Sequence, residues 1–378
     1  MAQNILKILR SSLTLALLTT ILLHSADANS GTNSKHKKKK QTAKVINSQI
    51  IKENVHFLEW KGIQELKQVM LTQHQFDSAE FDRIFEKVRF VEAAVQSMKP
   101  MPIGKPKNWK VYRSRFVETA RVNAGLLFWE RNEPVLQQVE SEFGIPAEII
   151  VGLIGVETIY GKNMGKFNAI DAITTLAFSY PDTPNKEQRS AFFKNELIQL
   201  LLWSRESKID PLEIKASYAG AIGLCQFMPS SLRSYAIDFD HDGKIDLRGS
   251  ETDAIGSVAN YLVRHGWKKG LPYAFPASLY STNLSQETEN KELLDILGKG
   301  LRASFTLDQL KPRFTTPDAN APTNIMYGVI DLQNGDDPTE YWLGTENFFA
   351  ITQYNRSYFY AMSVIDLGKT INLARTKN

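Results

Sequence analysis

One carboxylic acid, Glu157, ends the apolar run Ile149-Ile150-Val151-Gly152-Leu153-Ile154-Gly155-Val156. Gly144 and Pro146 supply a turn and a helix start before it, and Gly161 supplies a stop soon after. A helix that is apolar on every side is a buried helix. This one is far too short to span a bilayer. An apolar surround disfavours an ionised carboxylate, and so does the negative end of a helix dipole. Glu157 therefore reads as an acid that keeps its proton near neutral pH, the chemistry needed to protonate a leaving oxygen at a glycosidic bond. The plainer reading is a glutamate at a helix end that turns into solvent.

Two further stretches carry chemistry. In Ser217–Ser231, glycines and alanines flank Gln226, beside Phe227 and Met228. Amides and hydroxyls next to apolar surface suit a sugar, and small residues let a flat ligand approach backbone. In Asp238–Asp246, carboxylates fall at loop positions one, three, five and nine with Gly243 at six, as at the start of an EF-hand calcium loop. Position twelve is Gly249, so Glu251 or Asp253 must close a longer loop. The alternative is an exposed acidic turn. Cys225, the one cysteine, excludes an intramolecular disulfide. A nucleophilic thiol would need a histidine context that His241 and His265 do not provide, so a buried structural cysteine is expected.

The elements that position these groups follow from the rest of the chain. With 378 residues, 43% of them hydrophobic, there is enough for a sizeable core in two or three domains. Lys7, Arg10, the apolar Leu13–Leu23 and Ala26-Asp27-Ala28 form the pattern of a secretory signal peptide, cleaved after Ala28. A retained anchor is the alternative, but the apolar core is short. No cysteine stands at the cleavage point for lipid attachment. Residues 29–44 read as a disordered linker bearing Lys35 and Lys37 to Lys40, either a solvated tail or a contact for anionic polymer or lipid. The formal charge is +4, and those lysines account for it, so the folded body is near neutral. That argues against nucleic-acid binding.

Residues 45–110 form an N-terminal helical segment. In it Asp77 caps a helix carrying Phe81, Ile84, Phe85, Val88, Val91 and Val95 on one face. Residues 111–270 form the central body. Helices are predicted there at Tyr112–Glu130, Ala172–Phe178 (capped by Asp171), Ser190–Ser204 and Asp253–Arg264. Leu271–Ala321 is interrupted by prolines and gives no clear pattern. Within 271–356, strands are predicted at Asn324–Leu332 and Tyr341–Tyr354, around the turn Asn334–Asp337. A closing helix occupies 357–378.

Five motifs in register resemble the lytic murein transglycosylase B family. They are Gly155–Gly161 (GVETIYG), Ser217–Ser231 (SYAGAIGLCQFMPSS), the Asp238–Asp246 loop, Asp253–Trp267 (DAIGSVANYLVRHGW) and Ile351–Met362 (ITQYNRSYFYAM). The resemblance implies an α+β, mainly helical fold: a lysozyme-like core with helical lobes around a deep groove, plus a small strand-containing subdomain. It implies Glu157 as the single catalytic acid, and Tyr112, Ser217, Gln226, Tyr261, Tyr354, Asn355 and Tyr360 as groove residues, with Arg189 the best match to the family's peptide-side arginines. It implies no catalytic cofactor, and a structural Ca²⁺ held by Asp238, Asp240, Asp242, the Lys244 carbonyl and Asp253. The implied partners are peptidoglycan glycan strands and the machinery that builds them. The protein is expected to be a periplasmic monomer of a Gram-negative bacterium, with no transmembrane segment after processing.

The resemblance also implies the reaction, cleavage of the β-1,4 bond between N-acetylmuramic acid and N-acetylglucosamine. Thr158, Ile159 and Tyr160 offer no second acid to activate water or attack the sugar. In the family the same glutamate then deprotonates the sugar's own 6-hydroxyl, which closes a 1,6-anhydro ring. The alternatives from other classes are a lysozyme-type hydrolase using water, a non-catalytic wall-binding protein and a calcium sensor.

Overall fold

The computed structural model describes residues 56–100, 106–280, 285–318 and 320–377. The expected signal peptide, the basic linker and the first residues of the N-terminal segment lie outside them. Among the described residues there are fourteen α-helices and seven strands. None of these helices is long and apolar enough to cross a membrane. The chain is mainly helical with a small sheet, as expected, and it forms two compact units.

In chain order the helices are α1 (Lys61–His74), α2 (Ser78–Phe85), α3 (Glu92–Ser97), α4 (Trp109–Ser114), α5 (Thr119–Phe143), α6 (Ala147–Thr158), α7 (Ala169–Phe178), α8 (Lys186–Glu206), α9 (Pro229–Tyr235), α10 (Glu251–Arg264), α11 (Gln286–Leu297), α12 (Leu307–Leu310), α13 (Glu346–Tyr354) and α14 (Tyr358–Arg375). The strands are β1 (Phe167–Asn168), β2 (Lys215–Ala216), β3 (Ala274–Leu279), β4 (Phe305–Thr306), β5 (Phe314–Thr315), β6 (Met326–Asn334) and β7 (Asp337–Gly344).

One unit holds residues 106–160 and 255–377. Its centre is α6, whose run Ile149–Val156 is buried throughout. α6 and α14 lie antiparallel at backbone contact. A Cβ on Gly152 would stand 2.1 Å from the Val364 carbonyl oxygen, and one on Gly368 would stand 2.0 Å from the Glu148 carbonyl oxygen. At the start of α6, Glu148 accepts from Tyr273 Oη and Asn372 Nδ2, both at 2.9 Å. This clamp and the glycine contacts set the register that places the far end of α6 beside the start of α14. The sheet of this unit is antiparallel, in the order β4-β6-β7-β3-β5, over a core that includes Phe275, Leu310, Phe314, Tyr327 and Leu343.

The other unit holds 56–100 and Gly161–Ala254. Asp171 and Thr175, one turn apart on α7, accept from the amides of Arg89 and Val91, which docks the N-terminal helices. Glu196 on α8 is 1% exposed. Its two oxygens accept from Ser230 N and Ser230 Oγ at the start of α9.

Several expected elements come out differently. The Tyr112–Glu130 helix is two helices, because the Glu118 carboxylate caps the Ala120 and Arg121 amides and starts α5 afresh. The helix capped by Asp77 ends at Phe85, so Val91 and Val95 belong to the next element. Asp171 sits in the first turn of α7 rather than capping it; Asn168 is the cap residue. The second expected strand stops at Gly344. Thr345 Oγ1 accepts from Asn347 N there, and Glu346–Tyr354 is helical. The unpatterned Leu271–Ala321 supplies β3, β4, β5, α11 and α12. The hairpin turn falls where expected, with Gly335 at φ +67°.

Candidate active site

Glu157 is the next-to-last residue of α6 and 8% exposed. Burial pushes its carboxyl up to about 7, only partly offset by a hydrogen bond from Tyr360. That bond runs from Tyr360 Oη to Glu157 Oε1 at 2.5 Å. Tyr360 is 1% exposed, and burial, together with the neighbouring Glu157, holds its hydroxyl far above the ordinary tyrosine range. It therefore donates and never ionises near neutrality. Ser357 Oγ accepts from Tyr360 N and fixes the first turn of α14 that carries the phenol.

More aromatic groups of the same unit close around this pair. Tyr112 has its hydroxyl pushed up to about 12, first by burial and then by the Glu157 charge. Its ring stands 5.4 Å from that of Phe359 and 5.1 Å from that of Phe116. Tyr261 is close enough to act on Tyr360 electrostatically; its hydroxyl donates to the Gln353 carbonyl at 2.9 Å, and its ring meets Tyr354 edge-on at 4.8 Å. Asn355 is 7% exposed, between α13 and α14, and its carbonyl accepts from Ser357 N. The fold thus gathers Glu157, Tyr112, Tyr261, Tyr360, Tyr354 and Asn355 in one unit, although they are up to about 250 residues apart in sequence.

Tyr360→Phe removes the one hydrogen bond that lowers the Glu157 pKa. The carboxyl should then titrate higher still, moving the alkaline limb of the rate profile toward higher pH. A pH–rate profile measures this, with the wild-type limb expected near 7 as the reference.

Ser217, Gln226 and Arg189 belong to the other unit. Ser217 Oγ accepts from the Ala219 and Ala221 amides, so the hydroxyl shapes its own loop. Gln226 sits at φ +51°, and its Nε2 donates to the Gly223 carbonyl at 3.0 Å, which leaves the amide oxygen unengaged by that bond. Arg189 is 5% exposed. Its Nε donates to Tyr180 Oη at 3.2 Å, and its guanidinium lies over the rings of Tyr180, Phe192 and Phe193. The arginine is boxed in by rings rather than extended into solvent.

The acidic loop belongs to this unit as well. Asp238, Asp240 and Asp253 can each place one carboxylate oxygen within 4.8 Å of the others. Asp253, 1% exposed, is the acid that returns to the loop, and it accepts from the Phe239 and Asp246 amides. Gly243 makes the turn at φ +88°. Asp242 Oδ1 accepts from Lys244 N at 2.8 Å. Three hard oxygens converging around a tight turn fit a calcium ion.

The residue patterns passed over the clamp at Glu148 and the buried acid Glu196. For the second, the available signal is helical spacing, which puts Glu196 on the face that buries Phe193, Leu197 and Leu200.

The comparisons with known proteins agree. The family described as transglycosylase SLT domain matches residues 59–369. The chain is 37% identical over 317 residues to membrane-bound lytic murein transglycosylase B of Escherichia coli, covering 82% of each chain. The crystal structure of soluble lytic transglycosylase SltB1 from Pseudomonas aeruginosa superimposes with a TM-score of 0.74 at 38% identity, covering 83% of this chain and 99% of that one. The structure of the Escherichia coli lytic transglycosylase Slt35 in complex with calcium does so with a TM-score of 0.72 at 35% identity, covering 85% and 95%. With the motifs, the fold and the buried acid all pointing the same way, the chain belongs to the transglycosylase SLT domain family, among the lytic murein transglycosylases of the B type.

Proposed function

We propose that this protein cleaves the β-1,4 bond between N-acetylmuramic acid and N-acetylglucosamine in peptidoglycan and releases 1,6-anhydro-N-acetylmuramic acid, in turnover or remodelling of the cell wall. The observation that carries the reading is Glu157, a lone acid pushed up to about 7 with a fixed donor on one oxygen. Protonated Glu157 gives its proton to the bridging oxygen as the C1–O bond breaks. The carboxylate left behind is steadied by Tyr360 and takes the proton of the 6-hydroxyl. The 6-oxygen then bonds to C1, and Glu157 is protonated again. No water is consumed. An intramolecular nucleophile has an effective concentration on the order of 10⁵ M or more when well aligned, so it outruns water in a dry site.

Tyr112, Tyr261, Tyr354 and Asn355 are assigned to sugar binding in their unit, and Ser217 and Gln226 are assigned to sugar binding in theirs; Arg189 would act by holding the Tyr180 ring. Mass spectrometry of digested sacculi tests the reaction. Products lighter by one water than reducing-end muropeptides are expected, and reducing ends alone would mean hydrolysis. A periplasmic location, through the basic apolar N-terminus, follows from the same reading.

The loop is assigned a structural Ca²⁺ held by Asp238, Asp240 and Asp253, with Asp242 and the Lys244 carbonyl completing the set. The ion would neutralise carboxylates that otherwise repel one another. Chelation should lower the melting temperature by several degrees, and adding Ca²⁺ should restore it. An unchanged melting curve would remove calcium from the account.

A further inference from the structure

Tyr160 follows the catalytic acid by three residues. The backbone turns left-handed just beyond α6, at Ile159 (φ +53°) and again at Tyr160 (φ +55°), before Gly161. Neither residue is one that favours this region. The turn folds the Tyr160 side chain back under the helix, where it is 9% exposed. Its hydroxyl ends at the meeting of α5 and α6. A Cβ on Gly155 would lie 2.3 Å from that oxygen, and one on Gly125 would lie 2.6 Å from it. The ring packs on Phe128 of α5 with centroids 5.0 Å apart. Arg121, one turn before Gly125 on α5, is 5% exposed and acts electrostatically on Tyr160; its guanidinium lies over the Phe116 ring and donates to the Arg115 carbonyl. The phenol thus fills the space a side chain at Gly155 would take, and at Gly125 it shares that space with Ile371, whose Cδ1 would stand 2.3 Å from an added Cβ.

We infer that Tyr160 is a positioning residue for Glu157: its phenol, wedged between Gly125 and Gly155, holds the left-handed turn that keeps the catalytic carboxyl buried beside Tyr360. The inference rests on Glu157 being the catalytic acid. A strained turn needs such a wedge, since nothing intrinsic to Ile159 or Tyr160 keeps the backbone there. When the wedge is lost, the last turn of α6 relaxes toward solvent. Hydration of Glu157 then returns its titration toward that of an ordinary glutamate.

The test follows the Glu157 carboxyl carbon by ¹³C NMR as pH is varied, in wild type, Tyr160→Phe and Tyr160→Leu, alongside kcat, KM and melting temperature. In Tyr160→Leu the carboxyl is expected to titrate at least one pH unit lower, with kcat down at least tenfold and KM within twofold. Tyr160→Phe, which keeps the ring and folds more readily, is expected to shift in the same direction by a smaller amount. If the melting temperature falls while Glu157 titrates as in wild type in both variants, Tyr160 is only structural and the inference is overturned. If the titration shifts as expected but the wild type releases no product from sacculi, the positioning role stands and the assigned reaction fails.

Discussion

Glu157→Gln should leave a folded protein that has lost turnover and gained stability above neutral pH. The two effects share one cause. In the proposed reaction the carboxyl is needed twice, first as acid and then as base. General acid–base catalysis contributes on the order of 10² to 10⁴ in rate, and a group used in both steps belongs at the upper end. An amide can neither give nor take the proton, so a fall in kcat of roughly 10⁴-fold is expected. KM should move little, because Gln keeps the shape and can still accept from Tyr360 Oη.

The stability effect follows from the raised pKa, 4.5 to about 7. Below about pH 4.5 the carboxyl is protonated in both folded and unfolded chains and costs nothing. Between those values the unfolded chain ionises and the folded one does not, so stability declines as pH rises. Above about 7 the whole penalty is present, about 3 kcal/mol at 1.36 kcal/mol per unit. Gln escapes it. The variant should therefore melt several degrees higher than wild type at pH 8, at roughly 2 °C or more per kcal/mol. At pH 4 the two should melt together. Calorimetry at both values, with zymography on purified sacculi, decides the matter. Lysis by the variant, or equal melting at pH 8, would sink the assignment.

Gly152→Ala should cost about 3 kcal/mol, although it adds only one methyl group. The new Cβ would stand 2.1 Å from the Val364 carbonyl oxygen and 3.1 Å from Gly368 N. Both neighbours are backbone of α14, so no rotamer change relieves the clash. The two helices would have to separate. Separation also moves Tyr360 away from Glu157, since each sits on one of these helices. The variant is expected to show a lower urea midpoint and a Glu157 that titrates differently, both at once. A Gly152→Ala protein with an unchanged midpoint would mean that the helices are not held at backbone contact.

The same pair of helices shows how much could be read in advance. Helix α6 was legible because Ile149–Val156 is apolar on all sides and a glycine soon follows. The acid at its end was legible too, since apolar neighbours and a helix C-terminus act on a carboxylate through local sequence alone. The acidic loop could be read for the same reason: the spacing of its carboxylates around Gly243 is local. What could not be read was what local sequence does not carry. Thr345 lies within a predicted strand, yet its hydroxyl caps α13. In the span Leu271–Ala321, β4 and β5 have two residues each, too short for alternation to register, and the six-residue β3 carries Pro276; all three pair with neighbours in the sheet.

The chain by itself determined where a carboxyl with a raised pKa stands, because burial of a continuous apolar run leaves its terminal glutamate little water to ionise into. Only the tertiary structure decided what that proton is poised against. Glycines 152 and 368 let two helices touch backbone to backbone, and that contact brings Tyr360, 203 residues away, onto one oxygen of Glu157. A hydrogen bond across such a distance depends on close packing between surfaces that share no sequence neighbourhood. No periodicity or motif spacing encodes it.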